Sequence, residues 1–291
     1  MTDSTEAATT SAAAQQPAGS SSDTKATIAI GIDIGGTGIK GAIVNTETGE
    51  LLSDRIKFAT PEGGKPKDVV DTVDKLLEAL KDAPADAPIG IDFPAVVQQG
   101  RTMSAANVSK KWIGLEAEKL FEGSLKRDIT FVNDADAAGY AEVKFGAAKG
   151  KNGLIIMTTL GTGIGTALIY NGVLIPNAEL GHIQIDGGDY EKKASYAAKE
   201  REELSWTHWA ARLQTYYSEL ENLLWPDLFI VGGGVSKSYE EFLPMVSIRT
   251  PLVVATLRNN AGILGAASLA VQPKVLVNVN QLVGEPTPTP K

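Results

Sequence analysis

The sequence predicts an α/β protein built from two similar lobes that face a central cleft. Short β-branched strands alternate with amphipathic helices along most of the chain, and several strands end in polar residues. A strand, Gly-Thr-Gly, strand unit also occurs twice. Gly36 to Ile39 aligns with Gly161 to Ile164, 125 residues later, and the alignment pairs Ala42 with Ala167. Such a duplication favours two related lobes over one doubly wound sheet.

Composition limits the chemistry that this chain can perform. At 291 residues and 43% apolar, it can bury the core of a globular enzyme. It has no cysteine and two histidines, so thiolate chemistry is excluded and a histidine-rich metal site is not expected. The net charge of −8 argues against nucleic acid as a partner. No apolar run is long enough for a membrane span, and no signal-peptide pattern is present, so we expect a cytoplasmic protein.

The elements of the first half follow in order. Residues 1–26 are rich in Ala, Ser and Thr and predict a disordered leader. Strands are predicted at 27–34 and 42–44, with more extended chain after the turn at 46–49. Apolar residues at helical spacing after Pro66 predict a helix, and a short strand ends at Pro94. A second amphipathic helix leads into the strand 129–134, and another helix follows.

The second half begins again with strands on both sides of Gly161-Thr162-Gly163. A long helix is predicted over 204–225, followed by strands at 228–234 and 251–257 and a closing helix of small residues. We therefore predict an N-terminal lobe of residues 27–134 that the closing helix near 260–271 completes, and a C-terminal lobe of residues 135–259. Residues 272–291 are predicted to form a loose tail.

The segment Gly36 to Gly41 fits the dinucleotide pattern G-x-G-x-x-G, but it is followed by a strand. A dinucleotide site requires these glycines to open a helix, so an NAD-dependent dehydrogenase ranks last. Two glycine turns instead offer backbone N–H groups to phosphate oxygens at matching positions of two lobes. A purely structural hairpin is the alternative for either turn taken alone. Gly232, Gly233 and Gly234 offer a third glycine turn at a strand end.

Polar residues at the predicted strand ends are candidates for catalysis and binding. Asp33 precedes the first glycine turn, where a carboxylate would hold Mg²⁺ through water, and Lys40 would add positive charge. Asp134 is a candidate general base with Asn133 beside it, although both residues also suit a helix N-cap. Glu179, His182 and Asn107 are candidates for binding sugar hydroxyls, with structural roles as the alternative.

Six segments together carry a specific resemblance, which runs in order from about residue 27 to residue 270. They are DIGGTGIK (33–40), AANVSKKWIG (105–114), NDADAAGYAE (133–142), LGTGIGTALI (160–169), PNAELGH (176–182) and WPDLFIVGGGVSK (225–237). This set resembles the polyphosphate-using glucokinases of actinobacteria, a branch of the repressor, open-reading-frame and kinase family. The resemblance implies the actin-like ATPase (ribonuclease H-like) fold, a homodimer and a requirement for Mg²⁺.

The resemblance also implies a reaction and roles for residues. Phosphate would pass from inorganic polyphosphate, or from ATP, to the 6-hydroxyl of glucose. Asp134 would be the catalytic base. Glucose would be bound by Asn107, Asn133, Asp134, Glu179 and His182. The phosphoryl donor would be bound by Asp33, Gly35, Gly36, Thr37, Gly38, Lys40, Gly161, Thr162, Gly163, Gly232, Gly233 and Gly234. A strip of basic residues drawn from Lys149, Lys151, Lys192, Lys193 and Arg201 is predicted to lead polyphosphate out of the cleft.

Several departures from the family pattern bear on specificity. Most of the family has a zinc motif of one His and three Cys, so zinc is not expected in a chain without cysteine. Ala95 replaces the glycine of a Phe-Pro-Gly motif, and Gln184 and Gly188 also differ from related sequences. An ATP-specific glucokinase or a glucomannokinase therefore stays an alternative. A sugar-sensing repressor of the same family is less favoured because the leader shows no helix-turn-helix pattern.

Overall fold

A computed structural model describes residues 28–272 of the chain. The predicted leader (1–26) and all but the first residue of the predicted tail (272–291) lie outside the described residues. Within 28–272, no helix is both long and apolar enough to cross a membrane.

The first half of the described chain contains eight strands and three helices. In chain order they are β1 (Ile28–Ile34), β2 (Gly38–Asn45), β3 (Glu50–Leu51), β4 (Ile56–Ala59), α1 (Pro66–Ala79), β5 (Ile89–Phe93), β6 (Val97–Gln98), β7 (Arg101–Thr102), α2 (Ala117–Leu125), β8 (Ile129–Asn133) and α3 (Asp134–Lys144).

The second half contains seven strands and four helices within the described residues. They are β9 (Leu154–Leu160), β10 (Ile164–Tyr170), β11 (Val173–Ile175), β12 (Gln184–Ile185), β13 (Gly188–Asp189), α4 (Glu191–Ala194), α5 (Tyr196–Arg201), α6 (Trp206–Leu224), β14 (Leu228–Gly232), β15 (Leu252–Val254) and α7 (Ala261–Ala270).

Two sheets with the same central arrangement organise these elements. The first has the order β3-β2-β1-β5-β8, with β4 also paired to β2, and the second has the order β11-β10-β9-β14-β15. In each sheet one hairpin is antiparallel, β1 with β2 and β9 with β10, while the next two strands run parallel to its first strand. The predicted duplication of a strand, Gly-Thr-Gly, strand unit is therefore confirmed.

Each sheet has its own apolar core. The first core packs Val69, Val73 and Leu76 of α1 and Phe121 of α2 against the strands, and Trp112 is fully buried among them. The second core packs α6 against the other sheet through the buried side chains of Trp209, Leu213, Tyr216, Tyr217 and Leu220. Most of these are apolar positions at helical spacing in the sequence, although Leu223, which the same spacing includes, is exposed.

Two helices lie between the sheets. α7 packs on β1 and β5 of the first sheet, α3 packs on β9 and β10 of the second, and the two helices pack on each other. The contact of α7 is very close, because a Cβ atom at Gly31 would lie 1.9 Å from the carbonyl oxygen of Ile263. The closing helix thus lies against the first sheet although it follows the second in sequence. The predicted lobe boundaries at 134 and 259 stay predictions.

Candidate active site

The candidate site begins at the carboxyl ends of three parallel strands. Asp33 lies near the end of β1, Asp92 lies beside it on β5, and β8 ends at Asn133 just before Asp134. Because parallel strands end at the same edge of a sheet, these side chains gather where ligands bind in open α/β sheets. The register of the sheet thereby brings together Asp33, Asn133 and Asp134, three residues that the sequence motifs singled out separately.

Asp134 is the first residue of α3, and Asn133 is its N-cap. The Asn133 side-chain oxygen accepts a hydrogen bond from the Asp136 amide (2.9 Å), and its Nδ2 donates to the carbonyl of Ala95 (3.0 Å). The structural alternative for Asn133 is therefore correct, and half of the hydrogen-bonding capacity of its side chain is used within the protein. A direct contact of Asn133 with glucose stays a prediction.

The environment of Asp134 suits a general base. Asp134 is an exposed residue, and the protein atoms around its carboxylate remove part of the hydration of that group. This desolvation raises the pKa of Asp134 to about 7; a hydrogen bond from the Ala135 amide (2.8 Å) opposes the shift, and the negative charge of Asp33 adds to it. A base with a pKa near 7 combines a large deprotonated fraction with a useful affinity for a proton.

Glu179 and His182 lie on the segment that follows β11. His182 Nε2 is 3.8 Å from a Glu179 carboxylate oxygen, and His182 Nδ1 is 3.3 Å from Asp189. Desolvation raises the pKa of Glu179, an effect that His182 opposes. The charge of Glu179 also acts on Asp134, so the two carboxylates face one region. Both Glu179 and His182 are exposed and available to a ligand.

Asn107 reaches the same region from the first half of the chain. Its backbone is left-handed (φ 59°), and a Cβ atom at Gly36 would lie 2.9 Å from the Asn107 Cβ. Asn107 therefore packs directly on the first Gly-Thr-Gly turn. This contact requires glycine at position 36 for steric reasons, in addition to any role of that glycine in binding phosphate.

The two Gly-Thr-Gly turns are similar, although the first is one residue longer: Ile34 pairs with Ile39, whereas Leu160 pairs with Ile164. Each turn is closed by a backbone hydrogen bond, from Gly35 to Gly38 (3.0 Å) and from Gly161 to Gly163 (3.0 Å). Thr37 and Thr162 are exposed at their tips. Lys40 forms an ion pair with Asp33 (2.8 Å) beside the first turn, and the Glu191 carboxylate accepts a hydrogen bond from the Ile164 amide (2.7 Å) beside the second.

The third glycine turn packs against the second. Gly233 has a φ of +83°, and a Cβ atom there would lie 2.3 Å from the carbonyl oxygen of Leu160, just before Gly161. Gly232 pairs with Thr159 of β9, while Gly234 has open space around it. Gly232 to Gly234 therefore lie next to the turn formed by Gly161 to Gly163, and their contact with the phosphoryl donor stays a prediction.

Part of the predicted basic strip is wrong. Lys149 and Lys151 precede β9, whereas the second turn follows it. A strand of seven residues spans roughly 20 Å, so these two lysines lie at the opposite end of the sheet from the turns. Lys192 and Lys193 lie on α4, whose first residue is Glu191, and Arg201 ends α5. The strand predicted between these two lysines and the second turn already separates them, so the sequence could have excluded Lys149 and Lys151.

Sequence reasoning missed three residues at this site. Asp92 is fully buried, and neither of its carboxylate oxygens has a hydrogen-bond partner among residues 28–272. Burial, followed by the charges of Asp33 and Asp134, raises its pKa well above the ordinary value. Desolvation likewise raises the pKa of Asp136 to about 7, although its carboxylate accepts a bond from the Asn177 amide (2.7 Å). An acidic residue inside an apolar strand was the available signal for Asp92.

Asn177 is the third missed residue, and it links the two halves of the chain. Its side-chain oxygen accepts a hydrogen bond from the Val97 amide (2.8 Å), and its Nδ2 donates to the Val97 carbonyl (2.7 Å). The amide side chain thus pairs with one backbone residue as a neighbouring strand would. This pairing holds the segment before Glu179 next to the loop that follows β5. Its φ of 60° is a conformation that asparagine tolerates better than most residues.

Comparisons with known proteins agree with this geometry. Residues 29–200 match the model of the ROK family. The chain is 44% identical over 242 residues to the polyphosphate glucokinase of Mycobacterium tuberculosis (strain CDC 1551 / Oshkosh). The aligned region covers 83% of this chain and 90% of the relative. The polyphosphate glucokinase of Mycobacterium leprae (strain TN) is also 44% identical, over 81% of this chain and 72% of the relative.

Two solved structures are also similar. The inorganic polyphosphate/ATP-glucomannokinase of Arthrobacter sp. strain KM is 49% identical, with a TM-score of 0.79 over 84% of this chain and 98% of that one. A ROK family glucokinase from Streptomyces griseus, solved with glucose and AMPPNP, is 25% identical, with a TM-score of 0.71 over 84% of this chain and 100% of that one. The predicted two-lobed α/β fold class is confirmed, and the chain belongs to the ROK family.

Proposed function

We propose that this protein is a kinase that transfers the terminal phosphoryl group of inorganic polyphosphate to the 6-hydroxyl of glucose. One observation carries the proposal: Asp134, with a pKa of about 7, lies between two other carboxylates whose charges act on it. Asp33 stands beside the first glycine turn, and Glu179 stands on the segment after β11 that we assign to the sugar. A base placed between a donor site and an acceptor site is what phosphoryl transfer requires. The relatives named above support the choice of glucose and polyphosphate.

The chemistry assigned to the acceptor side is proton removal. Asp134 takes the proton from the glucose 6-hydroxyl while that oxygen attacks the terminal phosphorus in line. A new P–O bond to the sugar forms as the anhydride bond of the donor breaks, which leaves glucose 6-phosphate and a polyphosphate shorter by one unit. Asn107, Glu179 and His182 orient the sugar hydroxyls, and orientation alone contributes a large part of the rate.

The donor side stabilises charge on the phosphoryl oxygens. Backbone N–H groups of Gly36 to Gly38 and of Thr162 and Gly163 are assigned to this role, with Lys40 as a cation. The Gly161 N–H already donates to the Gly163 carbonyl, so Gly161 is assigned only the space that it leaves for the donor. The amides are fixed by the closed turns before the donor binds, so little reorganisation is needed during the reaction.

The residues at the first turn suit Mg²⁺. Magnesium is usually held by one or two carboxylates together with substrate phosphates and water. Asp33 provides a partly exposed carboxylate at the turn. Asp92 on the neighbouring strand is fully buried and its raised pKa favours the protonated form, so it is assigned no direct contact with the metal. When bound, Mg²⁺ would offset negative charge on the donor. Among residues 28–272, no group of three or more His, Cys, Asp or Glu is arranged to hold a metal by itself.

ATP as an additional donor and mannose as an additional acceptor form the second candidate. The similar structure from Arthrobacter is named for both donors and for glucose with mannose. Its sequence is 49% identical to this chain, which supports testing both the second donor and the second acceptor. A homodimer and a location in the cytoplasm belong to the same proposal and stay predictions.

An assay of donors and acceptors tests the proposal. Purified protein is incubated with Mg²⁺, with polyphosphate or ATP, and with glucose, mannose or fructose, and the sugar phosphate is measured. We expect turnover of glucose with polyphosphate, and a loss of about 10²- to 10⁴-fold in kcat for Asp134→Ala, which should still unfold in one cooperative transition. Turnover with ATP alone would reject polyphosphate as donor. A normal kcat in the Asp134→Ala variant would reject the assigned base.

A further inference from the structure

Four charged residues lie in one row across four neighbouring strands. The strand register pairs Asp92 of β5 with Asp33 of β1, Asp33 with Lys40 of β2, and Lys40 with Lys57 of β4. Residues that are partners in register point to the same face of a sheet. The row therefore has two acidic groups at one end and two lysines at the other, next to the first Gly-Thr-Gly turn.

Lys57 lies at the outer end of this row and touches the turn. Its Cε is 2.9 Å, and its Nζ 3.8 Å, from the position that a Cβ atom would take at Gly38. The absence of a side chain at Gly38 thus leaves the space that the Lys57 side chain fills. Neither the sequence motifs nor the resemblance singled out Lys57, because it stands on a separate strand.

The positive charge of Lys57 is not matched within the described part of the chain. Lys40 is paired with Asp33 at 2.8 Å, whereas Lys57 has no carboxylate within ion-pair distance among residues 28–272. Two like charges directly opposite each other on paired strands destabilise a sheet. An anion bound at the turn would remove this repulsion, and phosphate oxygens of the donor are the anions expected there.

We infer that Lys57 is a donor-binding residue that, together with Lys40, contacts the phosphate oxygens of the phosphoryl donor at the first Gly-Thr-Gly turn. This inference rests on the proposed function for the identity of the donor. It extends the donor site onto β4, outside the residues that the motifs mark. The ammonium group supplies charge without constraining the direction of approach, which suits a polyanion with many equivalent oxygens.

The test compares Lys57→Gln with Lys75→Gln, which removes the same charge from an exposed position on α1. We expect Lys57→Gln to raise the KM for polyphosphate by about tenfold or more, because hydrogen bonds to charged groups contribute this much. The KM for glucose should change less than twofold, and Lys75→Gln should leave both values unchanged. The melting temperature of Lys57→Gln should not fall, since a repulsion between cations is removed. An unchanged KM for polyphosphate would overturn the inference.

Binding of tripolyphosphate in the absence of glucose, measured by calorimetry, separates this inference from the proposed function. If the wild-type protein binds tripolyphosphate and Lys57→Gln weakens binding about tenfold, the inference holds even if the assay shows that ATP is the working donor. Equal binding by the two proteins rejects it whatever the kinase assay shows.

A double-mutant cycle adds a geometric test. Gly38→Ala would push the Lys57 side chain from its place, so its effect on tripolyphosphate binding should be smaller in the Lys57→Gln background. Independent, additive effects would show that the two positions do not act through a shared contact.

Discussion

At the scale of single residues, the surroundings of an aspartate in the fold decide what its carboxylate can do, and its residue type does not. Asp33 and Asp134 are both aspartates at strand ends, yet Asp33 forms an ion pair with Lys40, while Asp134 is desolvated and forms no ion pair with any of residues 28–272. The raised pKa of Asp134 follows from this difference in surroundings. When two acidic groups have such different surroundings, one is suited to bind cations and the other to accept protons.

The raised pKa predicts how activity depends on pH. Asp134 works as a base only when it is deprotonated, so kcat/KM for glucose should fall about tenfold per pH unit below an apparent pKa near 7 and level off above it. A stopped assay from pH 5 to pH 9 at saturating donor measures this profile. Melting curves over the same range serve as the control for unfolding. A flat profile down to pH 5 would show that no group with this pKa controls the reaction.

Sequence motifs identified the residues whose roles depend on local context. Asp33 before a glycine turn and Asp134 at a helix start can both be recognised from their neighbours. Asp92, Asn177 and Lys57 could not be ranked in this way. Their contacts depend on strand register, on a link between distant segments and on the space left at Gly38, respectively. None of these relations is local in sequence.

At the scale of elements, close backbone contact fixes the closing helix on the first sheet. A Cβ atom at Gly90 of β5 would lie 1.9 Å from the carbonyl oxygen of Ala266, and one at Gly265 of α7 would lie 1.8 Å from that of Ala137 in α3. Glycines on the strands and helices thus allow backbones to approach where side chains would separate them. The apolar composition of α7 predicts its burial, whereas these contacts select its partners.

Gly90→Ala tests this packing. The added methyl group meets backbone rather than a movable side chain, so we expect a loss of about 3 kcal/mol in the free energy of unfolding. Gly123→Ala is the matched control, because Gly123 lies within α2 with no atom near its Cβ position, and it should gain about 0.5–1 kcal/mol from helix propensity. Urea denaturation of the variants measures both values. Equal stability of Gly90→Ala and wild type would mean that α7 can shift without cost.

At the scale of the whole molecule, the carboxyl groups of the candidate site make the stability of the folded state depend on pH and lower it at neutral pH. Asp134 and Asp136 both have pKa values of about 7, and that of Asp92 is also raised. Folding therefore increases the protons bound by these groups between their ordinary pKa near 4 and pH 7. The folded state gains from this at low pH, and the gain is lost as pH rises through 7.

Asp134→Asn removes one of these groups without removing an acceptor for the Ala135 amide. We expect the variant to melt at a higher temperature than wild type at pH 8, with a smaller difference at pH 4, where the wild-type carboxyl is protonated in the folded state and about half protonated in the unfolded state. Differential scanning fluorimetry at the two pH values measures the effect. Asp74→Asn, at an exposed position of α1, should show no such dependence. A larger advantage at pH 4 than at pH 8 would contradict the assigned shift.

The sequence alone determined the class of fold, the duplicated glycine turns, most helices and the strand ends that carry Asp33 and Asp134. Local patterns suffice for these features because periodicity, turn chemistry and motif spacing act over a few residues. Tertiary structure decided which residues share a site: it placed α7 against the first sheet, and Asp92, Asp33, Lys40 and Lys57 in one row. Strand order and register bring together residues far apart in the chain, and the chemistry of the site depends on the distances that result.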